Sequence, residues 1–186
     1  MNTKFQVARG FFVFLLAVFG LLGSQLAVAA DDAALEKAAR TALKSLYDGS
    51  AGAKALGEKA KGILVFPDVL KAGFVVGAQG GDGVLFVGGG RAGFYNTAAV
   101  SVGLQAGAQS FGYVLFFMSD KELKNFLTSK NFQIGIGPSI VFIDEGFGKD
   151  TNSLTVKSDV YGVIFDQKGL MAGIGLKGSK ITKLDR

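Results

Sequence analysis

Ser101-Val102-Gly103-Leu104-Gln105-Ala106-Gly107-Ala108-Gln109 changes in kind from one residue to the next. In an extended chain successive side chains point to opposite faces. Ser101, Gly103, Gln105, Gly107 and Gln109 therefore share one face, and Val102, Leu104, Ala106 and Ala108 share the other. A period of two marks a strand with unlike faces. The same alternation sets Gln133, Gly135, Gly137 and Ser139 against Phe132, Ile134, Ile136 and Ile140, and Gly173 and Gly175 against Ala172, Ile174 and Leu176. Glycine weakens a strand, so three strands with a small, partly polar face call for a cause. A helix packed flat on that face or strong bending of a curled sheet would supply one. The other is a groove for an acyl chain or headgroup, with Gly103, Gln105, Gly107, Gln109, Gly135 and Gly137 as its candidate lining.

Strand-like sequence continues on both sides. Ile63-Leu64-Val65-Phe66 is an apolar run that Pro67-Asp68 is expected to stop. Further candidates are 72–79, 83–91, 98–109, 112–118, 132–142, 153–157, 159–166 and 169–177, with turns expected at Gly80-Gly81-Asp82-Gly83 and Asp166-Gln167-Lys168-Gly169. One short helix interrupts them, where Ser119 and Glu122 form a capping-box pair ahead of Leu123, Phe126 and Leu127. The expected fold class is α+β and β-rich: a meandering antiparallel sheet, curled like a barrel or sandwich, with N-terminal helices and one inserted helix.

Toward the N-terminus the period changes. Asp31 to Tyr47 predicts a helix, with Asp31 and Asp32 favourable at its start and Gly49 at its end. Leu35, Ala39, Ala42, Leu43 and Leu46 fall on one side, and Lys37, Arg40 and Lys44 form a separate basic stripe. Either the helix packs with a solvated basic edge, or the stripe meets anionic headgroups. A second helical stretch, about 52–61, carries Lys54, Lys59 and Lys61. Earlier still, Lys4 and Arg9 precede the uncharged run Phe11 to Leu22, and Ala27-Val28-Ala29 follows. This is the grammar of a secretory signal peptide over 1–29, with one domain over 30–186. It points to export to the periplasm or envelope, or to secretion. Cleavage would remove two cations from a chain of net charge +5. The remaining mild positive charge suits an anionic lipid surface, where each nearby cation adds about 1 kcal/mol.

The 186 residues include no cysteine and no histidine. Disulfides, Ser-His-Asp triads, Cys-His pairs and histidine-ligated metals are thereby excluded. Gly77-x-x-Gly80-x-x-Gly83 and Gly88-Gly89-Gly90-Arg91 lack the strand–glycine–helix context of a nucleotide site. Asp144-Glu145, an adjacent acidic pair, better fits a solvated turn than a catalytic site. The 17 phenylalanines and 4 tyrosines lie mostly in cation-free strand runs such as Tyr113 to Phe117, which argues against nucleic-acid stacking. The expectation is a binding protein with no catalysis, cofactor or metal.

Several ordered motifs resemble one family. Lys61-Gly62-Ile63-Leu64-Val65-Phe66-Pro67 with Lys71-Ala72-Gly73-Phe74, Gly103 to Gln109, Gly135-Ile136-Gly137-Pro138, Asp159-Val160-Tyr161, Gly169 to Gly173 and Gly178 to Thr182 are similar to the SYLF domain, over about residues 35–181. The closest likeness is to its exported bacterial branch. The resemblance implies lipid binding, of phosphoinositides in eukaryotic relatives, through the N-terminal amphipathic region, and actin binding in some fungal relatives. Carried over by position, Lys37, Arg40 and Lys44 match the lipid-contacting region, Lys54, Lys59 and Lys61 adjoin it, and Lys71 stands in the family's Lys-x-Gly motif. The chain has Phe94-Tyr95-Asn96 where many relatives carry a tryptophan–serine pair. The rival expectation is a structural or protein-interaction module, either actin-binding-like or an envelope assembly partner.

Overall fold

A computed structural model describes residues 31–102, 107–135, 140–144, 158–169 and 176–186. The chain divides into Met1–Ala34, of which residues 31–34 are described and helical, and Leu35–Arg186. The leader, Gly103, Gln105, Gly137, Glu145, the expected strand 153–157 and the alternation at Gly173 and Gly175 lie outside the described residues.

Helix α1 covers 31–49 and α2 Ala51–Lys59. Ser50 separates them: its extended backbone breaks the first helix, and its hydroxyl caps the second by accepting from the Ala53 N–H at 3.2 Å. Strands β1 (Gly62–Gly73), β2 (Val76–Val87), β3 (Gly90–Val102) and β4 (Gly107–Phe117) follow, then α3 (Asp120–Thr128). Strands β5 (Phe132–Gln133), β6 (Ile140–Asp144), β7 (Val160–Gly169) and β8 (Lys180–Leu184) complete the described chain. They form one eight-stranded sheet, curled into a half-barrel, in the order β5-β8-β3-β2-β1-β4-β7-β6. The fold is thus the β-rich, curled-sheet α+β class expected. It is not a simple meander, because β4 returns to the far side of β1 and places that strand at the centre, and β6 pairs with β7 in parallel.

Two expected punctuation marks lie inside strands. Pro67 does not end β1. The register shifts by one residue between Phe66 and Val69, and the proline sits in this bulge, where its missing N–H breaks no ladder. The bulge keeps Phe66, Val69 and Lys71 on one face and Val65, Leu70 and Ala72 on the other. Gly80 to Gly83 is likewise mid-strand rather than a turn. A Cβ on Gly83 would lie 2.5 Å from the Phe66 ring, so the residue is small to admit an aromatic neighbour. The turn falls instead at Gly88 and Gly89, both at positive φ, as a hairpin between β2 and β3 requires. Asp166 also stands at positive φ (50°), in a strand irregularity where a turn was expected.

Each face of the sheet carries a buried core. On one, Leu64, Phe66, Leu85, Tyr95, Phe111, Tyr113 and Phe117 pack with Leu123 and Phe126 of α3. Ser119 starts that helix as expected, its hydroxyl accepting from the Glu122 N–H. On the opposite face Val65, Val84, Phe86, Phe94, Val114 and Phe116 pack with Ala39 and Leu46 of α1 and Ala53 and Leu56 of α2. Leu35, Ala42 and Leu43 flank this cluster, so the apolar side assigned to α1 is the side it buries. Phe94 and Tyr95 enter these two cores from successive positions of β3.

Candidate functional site

Helix α1 is fixed to the β2–β3 hairpin through one residue above all. The Arg40 guanidinium lies 4.5 Å from the centre of the Phe86 ring, pairs with Glu36 at 2.9 Å, and donates to the Gly89 carbonyl at 3.4 Å. Glu36 also receives Arg91 at 3.1 Å, and Arg91 lies over the Phe94 ring at 4.9 Å. Two arginines thus share one carboxylate while each covers an aromatic ring, a geometry that guanidinium suits and ammonium does not.

Between this helix and the sheet lies a pocket of about 470 Å³ lined by Arg40, Leu43, Lys44, Tyr47, Glu58, Lys61, Ile63 and Phe86, among others. Apolar walls beside cations form an amphipathic site, as a lipid headgroup and its first methylenes would require. Burial pushes the Tyr47 hydroxyl up to about 12, aided by Glu58, and that hydroxyl is buried with no hydrogen-bond partner.

The cations proposed from the sequence separate into three groups. Arg40, Lys44 and Lys61 meet around this pocket. Lys37, Lys54 and Lys59 are exposed on the two helices. Lys44 pairs with Asp48 and Arg40 with Glu36, so part of the expected stripe is neutralised within the helix. Residues 31–61 hold six cations and five carboxylates, close to electrical balance.

Lys71 is elsewhere, on the α3 face and only 3% exposed. Its cross-strand neighbours are Gln79 on β2 and Gln109 on β4, both buried. Gln79 donates to the Ser179 hydroxyl at 3.0 Å, and Tyr113 donates to Thr97 at 2.8 Å in the adjoining layer. Burial raises the Tyr113 pKa. These residues make a polar layer at the end of the apolar core; the Gln109 carbonyl oxygen is buried in it without a partner. Gly107 lies beyond the layer, where an added Cβ would meet nothing within 4 Å. Gly135, at φ +91°, occupies a turn after β5, against Lys177 and next to Ile134, whose N–H donates to the Ser179 carbonyl at 2.9 Å. The sequence reading missed Gln79, Ser179 and Thr97, though Gln79 on the same strand face as Gly77 carried the alternation that singled out Gln109. Phe86, Ile63 and the Gly89 carbonyl gave no signal, because only the hairpin turn brings them to α1.

Residues 98–186 match a family model described as Ysc84: Las17-binding protein actin regulator, the family that the motifs resemble. No curated protein matches the chain.

Proposed function

We infer, from a chain whose residues 98–186 are of the Ysc84 (SYLF) family, that this protein is a non-catalytic module binding an anionic lipid or membrane surface, of phosphoinositide type or simpler, in the bacterial envelope. The family is one of lipid- or actin-related binding domains. The observation that carries the lipid reading is the pocket in which Arg40, Lys44 and Lys61 adjoin Leu43, Tyr47, Ile63 and Phe86. Few cations are involved, so affinity should be modest and should fall with salt. Export rests on the leader: Lys4, Arg9, the apolar run and Ala27-Val28-Ala29. Mass spectrometry of the protein recovered from cells expressing the whole reading frame tests it, with a mature N-terminus at Ala30 expected.

Co-sedimentation with phosphatidylglycerol-containing and neutral vesicles tests the lipid reading. Lys44→Glu with Lys61→Glu should weaken anionic binding about tenfold or more, since each cation is worth about 1 kcal/mol and each reversal adds repulsion. These two exposed lysines are better probes than Arg40, whose loss would also release α1 from Phe86 and Gly89. Binding that ignores both the double change and high salt would sink the reading.

The description of the matched family as an actin regulator that binds Las17 favours a second reading, a protein-interaction module. It predicts a partner retained from envelope extract and no affinity for vesicles.

A further inference from the structure

Among the described residues, helices α1 and α2 cover the sheet face they pack on over only part of its length. Below the Pro67 bulge the registers align one row across six strands: Lys180 on β8, Ala98 on β3, Gly80 on β2, Leu70 on β1, Ser110 on β4 and Lys168 on β7. The next row pairs Ala72 with Ala78 and Ala108, and Ala78 with Val100. Leu70 is 58% exposed and Val100 74%. The rows run into the β1–β2 hairpin, whose Phe74 is 75% exposed and whose Val75 and Val76 are also exposed. This end is forced outward: a Cβ on Gly73 would lie 2.4 Å from the Gly77 Cα, so the two strands close tightly and the three apolar residues between them project from the tip.

We propose that this bare half of the sheet, with its hairpin tip, is a membrane-docking face that lays Leu70, Phe74, Val76 and Val100 into the headgroup–acyl boundary of an anionic bilayer, with Lys168 and Lys180 reaching the phosphates at its two sides. It rests on the reading of the protein as a lipid-surface binder but assigns that contact to residues outside the pocket. Three observations select a bilayer over other occupants. Large apolar side chains concentrated at an exposed tip are unfavourable in water and favourable at an interface. Lys168 and Lys180 are exposed and stand at opposite ends of the same row, a cationic rim for an anionic surface. Stacking on a second copy would bring such lysines toward one another, and alanines and glycine offer little to interdigitate. Two carboxylates stand where this half meets the helix-covered half: Asp82, engaged by Arg186 and Asn96, and the exposed Asp68, two residues before Leu70.

The chain contains no tryptophan, so one introduced tryptophan reports its own surroundings. Val100→Trp and, separately, Lys61→Trp at the pocket would be purified from the whole reading frame and mixed with phosphatidylglycerol/phosphatidylcholine vesicles bearing brominated acyl chains. The proposal expects Trp emission at position 100 to shift blue and be quenched on vesicles. It also expects Leu70→Glu with Val100→Glu, at two exposed positions, to lower co-sedimentation about tenfold or more, as two apolar side chains withheld from the interface should. Emission at position 100 unchanged while position 61 responds overturns this face and leaves the pocket reading standing. Response at position 100 alone supports the face and removes the pocket. Silence at both, with no co-sedimentation, ends both readings. Emission at position 100 already blue-shifted without vesicles, or elution as a dimer that Leu70→Glu dissociates, means that protein covers the face and overturns the proposal.

Discussion

The two halves of one sheet face make an instructive pair. Above the bulge, β1, β2, β3 and β4 direct Val65, Val84, Phe86, Phe94, Val114 and Phe116 toward α1 and α2. Below it the same strands direct Ala72, Ala78, Ala98 and Ala108, with Leu70 and Val100, toward no helix among the described residues. Both halves are apolar; they differ in side-chain volume. A covered half must fill the space between sheet and helix, which needs large side chains at native packing density. A half that meets water for part of its life keeps exposed apolar area down by being small, with a few large side chains where contact matters. Periodicity alone is blind to this distinction, since both halves alternate with the same period of two.

Stability measurements should separate the halves most sharply. Phe116 is fully buried in the covered half and stacked with Tyr47 at 6.5 Å between ring centres. Phe116→Ala should cost about 3–5 kcal/mol in urea denaturation. Val100→Ser, on the bare half, should change stability by no more than about 0.5 kcal/mol. A Val100→Ser cost approaching that of Phe116→Ala would mean that the lower half is packed against something, and the contrast would collapse.

A smaller effect tests what holds the cover in place. Arg40 is half exposed, so its ion pair with Glu36 is worth little alone, and its position over Phe86 adds a fraction more. Arg40→Ala should cost about 1 kcal/mol, and amide exchange along α1 should quicken while exchange in β1 and β4 is unchanged. Uniform quickening throughout the sheet would show that α1 and the strands unfold as one unit. Arg40→Lys restores the charge but not the flat guanidinium, and should recover only part of the loss.

What could be read from the sequence follows from how local each signal is. The apolar side of α1, the Ser119 cap and the β-rich class depend on neighbours within a turn or a strand, and all three are present in the structure. Strand ends were misplaced at Pro67 and at Gly80 to Gly83 because those residues answer to cross-strand partners. The proline fits a bulge, and Gly83 makes room for the Phe66 ring. Strand β8 went unseen: Lys180-Ile181-Thr182-Lys183-Leu184 is short and rich in lysine, with Ile181 buried in one core and Leu184 only partly buried against the other. For the site, cations could be listed but not sorted. Arg40, Lys44 and Lys61 converge, whereas Lys71 stands on the opposite face of the sheet, a separation set by the order of strands and the one-residue bulge.

The smallest expected effect concerns Tyr47, whose ring belongs to the covered half while its hydroxyl gains nothing there. That hydroxyl is buried without a partner and lies where a Cβ on Gly57 would collide with it. An unsatisfied buried polar group costs free energy, so Tyr47→Phe should raise stability by about 1 kcal/mol at neutral pH. The pH dependence provides a second check. Burial, with Glu58, pushes the Tyr47 pKa up to about 12, while the unfolded chain releases this proton near 10. Between those values the unfolded state binds fewer protons than the folded one, so stability falls as pH rises. Tyr47→Phe should therefore lose stability less steeply from pH 10 to 12 than the parent protein. A residual slope should persist, because burial raises Tyr95 and Tyr113 as well. Parallel alkaline unfolding curves would mean that the Tyr47 hydroxyl reaches water. The covered half would then be open at the pocket as the lower half is at Leu70 and Val100, and the two halves would differ in degree rather than in kind.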